Sequence, residues 1–278
     1  MNASRCVRRL FLTLSLLLVA TSVSAQAQPA TGQFKPQRGQ EGKDVIWVPT
    51  PADLVVTMLD MAKVWTQDLV MDLGSGDGRT VIAAAKRGAR AIGIEYNPDM
   101  VELSRRNAAS AGVSEKATFV NADLFQTDLS QASVITMFLL PSINLKLRPT
   151  ILNLKPGTRI VSNTFDMGEW TADATQTIAG ECTSYCTALL WIVPAKVEGT
   201  WRSARGELVL EQAFQMVSGT LNSASGGVPV TDGRLRGAEI SFTAGNTRYQ
   251  GRVKGDTISG TATSGEGSSE WSAIRADR

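Results

Sequence analysis

Histidine is absent from this chain of 278 residues, and its absence excludes several kinds of chemistry. Without an imidazole there is no Ser-His-Asp or Cys-His nucleophile, no histidine-ligated zinc or haem, and no histidine pH switch. Cysteine is also scarce, with three residues, which without histidine are too few for a structural zinc site. We therefore predict no metal site, and any acid–base chemistry must rest on aspartate, glutamate, tyrosine or lysine.

A membrane-spanning length of apolar residues is lacking at the amino terminus. The apolar run from Leu10 to Ala20 is shorter than the roughly 20 residues that a span needs. Three arginines precede this run, and Val23-Ser24-Ala25 offers small residues for cleavage. We expect residues 1–25 to be a cleaved secretory signal and the mature protein to be periplasmic or otherwise exported. An uncleaved amino-terminal membrane anchor is the alternative.

Removal of this segment changes the charge and the cysteine count. Lysine plus arginine falls from 28 to 25 against 26 acidic residues, so the net charge moves from +2 to −1. No basic stripe remains, and we expect no nucleic-acid partner. Cys182 and Cys186 remain, and a disulfide between them is predicted at the tip of a hairpin between strands at Thr177-Ile178 and Ala188 to Val193. A pair of reduced thiols is the alternative.

The rest of the chain divides into three parts. Residues 26–43 are rich in Gln, Gly and Pro and are predicted to be a flexible leader. Residues 44–196 alternate short apolar runs with amphipathic stretches, which indicates an α/β domain. The predicted strands are Leu69-Leu73, Ala91-Glu95, Ala117-Asn121, Val134-Leu139 and Arg159-Ser162. The predicted helices are Ala52-Ala62, Gly78-Arg87, Pro98-Ala111 and Leu145-Asn153.

Residues 197–278 have a different pattern, with short alternating segments and frequent glycines. We predict strands that begin at Gly199, Gly219 and Gly260, and turns that include Asp232-Gly233 and Gly245-Asn246. The pattern favours a small antiparallel β meander, which a closed barrel would complete. This part is interpreted either as a binding domain or as a β appendage without a ligand.

The chemistry is concentrated in the segment from Val70 to Arg79. Three closely spaced glycines between a predicted strand and a predicted helix indicate a tight turn that a ligand approaches closely. The G-x-G-x-G spacing departs from the G-x-G-x-x-G of dinucleotide sites, and the Gly-Lys ending of a phosphate loop is missing. Acidic residues follow the predicted strands, which disfavours pyrophosphate and favours a cationic ligand with hydroxyl groups.

These residues resemble the class I methyltransferases that use S-adenosylmethionine. The resemblance covers about residues 48–194 and implies a Rossmann-like domain with a seven-stranded sheet. It implies that Glu95 binds the ribose hydroxyls and that Asp123 lies by the adenine. The cofactor-binding residues implied are Asp72, Gly74, Ser75, Gly76, Gly78, Glu95, Asp123 and Leu124.

A narrower resemblance links the chain to small bacterial relatives of mitochondrial membrane-associated protein-lysine methyltransferases. It is carried by Val48-Pro49-Thr50-Pro51, by Phe138-Leu139-Leu140-Pro141 and by the segment from Leu154 to Arg159. It implies a protein acceptor, membrane- or envelope-associated, and a substrate channel formed by Pro49, Thr50, Phe138, Leu140 and Pro141. In such relatives we expect a histidine in the segment that here reads Val161 to Asp166, and Asn163 stands in its place.

The segment after the fifth predicted strand supplies the acceptor-site residues, because the carboxyl ends of parallel strands border the ligand crevice. We predict that Asn163, Asp166 and Trp170 line the acceptor entrance. An aspartate there can take a proton through water, and a tryptophan face can hold a cation. A plain turn at Asp166, with Trp170 covering the sheet, is the alternative.

Three classes of function remain open on the sequence. The first is a methyltransferase that acts on lysine side chains or, less specifically, on a small molecule. The second is a catalytically inactive protein that binds a nucleoside or a small cation through the same fold. The third is an envelope binding protein whose function resides in the β domain.

Overall fold

A seven-stranded sheet forms the first part of the fold and a closed β-barrel forms the second. The computed structural model describes residues 34–180 and 182–276. The predicted signal, 1–25, and the first part of the predicted leader lie outside the described residues. Within these ranges, no helix has the length and apolar character needed to cross a membrane.

The sheet has the order β3-β2-β1-β4-β5-β7-β6. Its strands are β1 (Leu69–Leu73), β2 (Arg90–Glu95), β3 (Ala117–Asn121), β4 (Val134–Met137), β5 (Arg159–Asn163), β6 (Ala174–Thr177) and β7 (Thr187–Ile192). The first five strands run parallel, and β7 is antiparallel to both β5 and β6. Along β1, Val70 packs in one hydrophobic core and Met71 and Leu73 in a second, as alternation along a strand requires. The predicted α/β fold is confirmed.

Four helices cover the sheet, namely α1 (Ala52–Met61), α2 (Arg79–Lys86), α3 (Pro98–Ser110) and α4 (Pro141–Ile151). The first three agree with the predicted helices within about one residue at each end. The predicted start of the fourth at Leu145 is wrong, because the helix begins at Pro141, whose fixed φ and missing N–H suit the first helical turn.

The barrel closes through pairing of its last strand with its first. Its strands are β8 (Gly199–Ser203), β9 (Gly206–Ala213), β10 (Met216–Ser223), β11 (Gly226–Arg236), β12 (Glu239–Ala244), β13 (Thr247–Lys254), β14 (Thr257–Ser264) and β15 (Gly267–Arg275). The aromatic rings of Trp201, Phe242, Tyr249 and Trp271 pack in its core. The meander suggested by the sequence is therefore completed as a barrel with a side-chain-filled core.

Several predicted strand ends in the barrel are wrong. Gly219 and Gly260 lie inside β10 and β14 instead of at their starts. The predicted turn at Asp232-Gly233 lies within β11, where the register shifts between Thr231 and Arg234. Asp232 there has a φ of 52°, so the residue pair that suggested a turn forms a bulge in a long strand.

The barrel packs against the sheet through a defined seam. The ring of Phe214 stacks on Trp170 with centroids 6.1 Å apart. Arg234 forms an ion pair of 2.7 Å with the buried Asp173 carboxylate, which also accepts the backbone N–H of Ile192. Because Ile192 pairs with the first residue of β5, this seam lies at the edge where the parallel strands begin. The barrel is thus remote from their carboxyl ends.

Candidate functional site

A cavity opens at the carboxyl ends of β1 and β4, where the strand order of the sheet reverses. Ligand crevices of open α/β sheets form at this point, because the loops that leave the two strands diverge. The walls come from the loops after β1, β2, β3 and β4 and from the segment 40–50. All of the lining belongs to residues 40–143, so the first part of the chain builds the site.

The loop after β1 carries the glycines of the predicted cofactor motif. Gly74, Ser75 and Gly76 line the cavity, as predicted. Gly76 has a φ of 55°, and a Cβ added to it would lie 2.6 Å from the indole nitrogen of Trp47. Only glycine therefore lets the loop turn and leaves Trp47 in place over it.

Gly78 has a structural role besides the one predicted. It caps the amino terminus of α2 with a φ of 81° and does not line the cavity. A Cβ at this position would approach the Phe119 ring to 2.7 Å and the Ser104 Cβ to 2.9 Å. The residue allows α2 to pack closely on α3 and β3, which accounts for the glycine, and its assignment as a cofactor-binding residue stays a prediction.

The Glu95 carboxylate, at the end of β2, is held in place by backbone donors. It accepts the N–H of Gly76 and the N–H of Asn97, each at 2.9 Å. These two bonds join the glycine loop to the second strand and orient the carboxylate at the cavity wall. Each carboxylate oxygen keeps further lone pairs, which ribose hydroxyls can use.

Asp72, at the end of β1, is the most perturbed acid of the site. Its side chain lines the cavity but is only 6% exposed, and it accepts the Thr136 hydroxyl at 2.7 Å. Burial raises the pKa of this carboxyl from 3.8 to about 7, and the nearby carboxylates of Glu95 and Asp77 add to the rise. A carboxyl in this state is stabilised as an anion by a cationic ligand.

The segment 40–50 covers the adenine side of the predicted site, and the sequence analysis predicted a place at the site only for its last residues, Pro49 and Thr50. The backbone N–H of Trp47 donates to the carbonyl of Gln40, which closes the segment on itself. Lys43 donates to the predicted adenine-side residue Asp123 at 2.7 Å and lies 4.5 Å from the ring centroid of Tyr96. This pair raises the pKa of Lys43 and lowers the pKa of Asp123.

The described part of the predicted leader, 34–43, contacts the α/β domain through Lys43, and its flexibility stays a prediction. The missed signal is Trp47, because a large apolar ring so close to a leader must find a surface to cover. Leu124 lines the cavity beside Asp123, as predicted for the cofactor site.

The residues present fit S-adenosylmethionine, the cofactor expected from the sequence. The Ser75 hydroxyl is buried and has no hydrogen-bond partner among the described residues, although such groups are normally paired. The cavity combines this orphaned hydroxyl with glycine backbone and with the carboxyl groups of Asp72, Glu95 and Asp123. Such a set suits a ligand that carries positive charge and ribose hydroxyls.

Three of the five residues predicted to form the substrate channel line the cavity, and the channel itself stays a prediction. Pro49, Thr50 and Phe138 line the cavity beside the end of β4. Leu140 is 43% exposed and precedes α4, and Pro141 begins that helix on the surface. These two residues are corrected to surface positions, because the helix starts earlier than predicted, and Leu139 and Ile143 take the inner positions.

Asn163 lies one layer behind the cavity. It is fully buried, and its Nδ2 donates to the Thr50 hydroxyl at 3.3 Å while its Oδ1 accepts the Thr164 hydroxyl. Asn163 thus contacts Thr50, which lines the cavity, but does not line the cavity itself, in contrast to its predicted place at the acceptor entrance.

Asp166 and Trp170 do not lie at an acceptor entrance in this structure. The Asp166 carboxylate accepts the backbone N–H of Gly168 at 3.0 Å, so it stabilises its own turn. Trp170 is fully buried between the Trp191 and Phe214 rings. Both predictions fail for the same reason, because the chain turns away from the cavity after Phe165 and enters the seam with the barrel.

Cys182 and Cys186 form the predicted disulfide, with Cα atoms 5.9 Å apart. It closes the loop between β6 and β7, so the hairpin prediction is also confirmed. The described residues contain no group of three or more metal-ligating acids, cysteines or histidines.

The fold and this site define a class I S-adenosylmethionine-dependent methyltransferase. Residues 72–174 match the family model described as the ANTKMT methyltransferase domain. A protein-lysine N-methyltransferase of Saccharolobus islandicus is 43% identical over 129 residues, which are 45% of this chain and 80% of that protein. The chain belongs to this methyltransferase family.

The chain is also similar to two methyltransferases that are named for different acceptors. The adenine nucleotide translocase lysine N-methyltransferase of Mus musculus is 39% identical over 103 residues, which are 36% of this chain and 45% of that protein. The match thus spans less than half of the mouse protein. A solved structure of an RNA methyltransferase from Salinibacter ruber, in complex with S-adenosyl-L-homocysteine, is 47% identical. It has a TM-score of 0.51 and covers 54% of this chain and 96% of that one.

The raised pKa of Asp72 predicts that cofactor affinity depends on pH. In the free protein the carboxyl holds its proton up to about pH 7. The positive charge of bound S-adenosylmethionine favours the Asp72 carboxylate, so cofactor binding releases the proton of this carboxyl. The cofactor affinity therefore rises with pH until Asp72 is already ionised in the free protein. We expect S-adenosylmethionine to bind up to about tenfold more tightly at pH 8 than at pH 6.

Calorimetry in two buffers of different ionisation enthalpy checks this release. Asp72→Asn removes the titrating group, so the difference between wild type and variant isolates Asp72 from the titration of the ligand itself. Equal proton release by the two proteins at pH 6.5 would refute the assignment.

Proposed function

We propose that this methyltransferase transfers the methyl group of S-adenosylmethionine to the side-chain nitrogen of lysine in a protein acceptor. The observation that carries the proposal is the match to an archaeal protein-lysine N-methyltransferase over 80% of that protein's length. The mouse relative named for the same reaction type supports it.

The acceptor side of the cavity suits an alkylamine. Its walls near β4 are the rings and apolar side chains of Pro49, Met137, Phe138, Leu139 and Ile143. A lysine ammonium has a pKa near 10.4 in water, and an apolar wall lowers it by disfavouring the charged form. The neutral amine is the nucleophile that the reaction requires.

S-adenosylmethionine supplies an electrophilic methyl group on a sulfonium sulfur. The lysine nitrogen forms a bond to this carbon as the carbon–sulfur bond breaks, and the electron pair of that bond stays on sulfur, which becomes a neutral thioether. The proton that the lysine ammonium loses to form the neutral amine passes to water before this step, and the methylated nitrogen carries the positive charge that leaves the sulfur. The chain contributes orientation through the glycine loop and Glu95, and exclusion of water through the 40–50 cover and Phe138.

The resemblance found in the sequence favours an acceptor in a membrane or the cell envelope, and we propose the membrane fraction as its source. Labelled S-adenosylmethionine is incubated with the purified protein and with membranes, soluble protein or total RNA. We expect label that protease removes and ribonuclease does not, with mass spectrometry placing it on lysine.

The matched controls are two glutamate variants. Glu95→Ala removes a cavity carboxylate, and Glu102→Ala removes an exposed one on α3. With S-adenosylmethionine near its wild-type Kd, only the first is expected to lower labelling strongly, because it weakens cofactor binding. Label sensitive to ribonuclease would instead support an RNA acceptor, the class of substrate for which the Salinibacter ruber protein is named. Label confined to small molecules would also contradict the proposal.

A further inference from the structure

The loop between β6 and β7 reaches the same edge of the sheet as the cavity. Because β7 runs antiparallel to β5, its first residues lie beside the last residues of β5, with Ala188 paired to Asn163. The described loop residues that precede β7, 178–180 and 182–186, are therefore placed next to the ends of β4 and β5. The disulfide between Cys182 and Cys186 lies within this loop.

Three half-buried aromatic rings meet at this position. The Tyr185 ring lies 5.1 Å from Phe138 in an edge-to-face arrangement and 5.9 Å from Phe165, and Phe138 and Phe165 are 6.0 Å apart. These three rings lie outside the hydrophobic cores of the described residues. Phe138 also lines the cofactor cavity, and Phe165 and Tyr185 contact Phe138, so the three rings lie together beside that cavity. We name Phe138, Phe165 and Tyr185 the aromatic wall.

The backbone of Tyr185 is held in an unusual conformation. Its φ is 59°, in the left-handed region that residues with a side chain rarely adopt. The covalent link between Cys182 and the neighbouring Cys186 restricts the loop and favours this conformation. Strained residues of this kind are concentrated at functional sites.

A surface groove lies beside Tyr185, the one ring of the aromatic wall that lines it. It runs between the disulfide loop and the segment before α1, with Arg38, Asp53, Ile178 and Tyr185 among its lining residues. Pro49 lines both the groove and the cofactor cavity, so the two are neighbours on either side of this residue. The groove contains both a cation and a carboxylate, as well as apolar side chains, and this mixture suits a polypeptide.

We propose that Tyr185 is an acceptor-positioning residue and that the groove holds the polypeptide on one side of the acceptor lysine. This inference rests on the proposed function. The rings of the aromatic wall lie too close together to admit a side chain between them, so the alkyl stem of the lysine packs along their outer face. Reduction of the disulfide frees Tyr185 and weakens acceptor binding without affecting the cofactor cavity.

The test measures methyl label in protein lysines as isolated membranes are titrated against wild type, Tyr185→Ala and Tyr185→Phe. Loss of one aromatic contact is expected to raise the half-saturating membrane concentration about three- to thirtyfold for Tyr185→Ala. Tyr185→Phe retains the ring and is expected to restore most of the affinity. S-adenosylhomocysteine binding, measured by calorimetry, stays the same in all three proteins and shows that they are folded.

A second arm uses the disulfide and does not depend on the Tyr185 variants. A reductant is expected to raise the half-saturating membrane concentration for wild type, and to have no effect on the Cys182→Ser, Cys186→Ser double variant, which already shows the raised value. If lysine is labelled but the membrane titrations of wild type, Tyr185→Ala and reduced protein superimpose, the inference is overturned. Absence of lysine label with wild type would refute the proposed function, and the inference with it.

Discussion

Glu95→Ala is expected to weaken S-adenosylmethionine binding by about 1.5–3 kcal/mol, or roughly 10- to 150-fold in Kd, the range for hydrogen bonds to a charged group. The substitution removes the carboxylate that is predicted to accept the ribose hydroxyls. It also removes the acceptor for the Gly76 and Asn97 backbone N–H groups, so the glycine loop loses its hydrogen bond to the residue that ends β2. Isothermal calorimetry with the purified protein measures the change.

Two variants serve as controls for this result. Glu102→Ala removes a carboxylate that is 57% exposed and paired only on the surface of α3, and its affinity is expected to equal that of wild type. Glu95→Gln retains one acceptor oxygen and should give an intermediate loss. A wild-type Kd for Glu95→Ala, with the fold intact, would eliminate Glu95 as a cofactor residue.

Trp170→Ala is expected to lower the free energy of unfolding by about 3–5 kcal/mol and the melting temperature by roughly 6–20 °C. Trp170 is fully buried, and its ring stacks on Phe214 of the barrel and packs on Trp191. Truncation leaves a cavity in the seam between sheet and barrel. Thermal unfolding followed by tryptophan fluorescence gives the measurement.

Trp65→Ala is the matched control, because Trp65 is 55% exposed and its loss should change stability by less than about 0.5 kcal/mol. Trp170→Ala should also leave the cofactor affinity and the half-saturating acceptor concentration unchanged at a temperature where it is folded. If Trp170→Ala has wild-type stability but binds the acceptor more weakly, the result would support the place at the acceptor entrance that the sequence predicted for Trp170.

The sheet was predictable because its strands carry their signal locally. Leu69–Leu73 and Ala117–Asn121 have the same bounds in prediction and structure. Buried parallel strands appear in the sequence as short apolar runs. The acidic residues at the carboxyl ends of these strands indicate the edge of the sheet where a ligand binds. The positions of these runs therefore predict that Asp72, Glu95 and Asp123 lie near one another, and the three residues line one cavity.

The parts that could not be predicted depend on contacts between distant segments. Lys43 meets Asp123 across 80 residues of sequence, and Trp170 meets Phe214 only because the barrel docks on the sheet. Neither contact leaves a periodic pattern in its own segment. The same holds for Tyr185, whose place beside Phe138 follows from the antiparallel pairing of β7. Signal cleavage and export stay predictions, since residues 1–33 lie outside the described residues.

A single-turnover reaction tests whether this protein methylates lysine in membrane protein. The protein is placed in excess over S-adenosylmethionine with a deuterated methyl group, together with isolated membranes, and samples are quenched over time. We predict that S-adenosylhomocysteine and trideuteromethyl-lysine in protein rise at the same rate and in equal amounts, and that Glu95→Ala forms neither at a comparable rate. Formation of S-adenosylhomocysteine without labelled lysine, or no consumption of S-adenosylmethionine by the folded wild-type protein, would contradict the account.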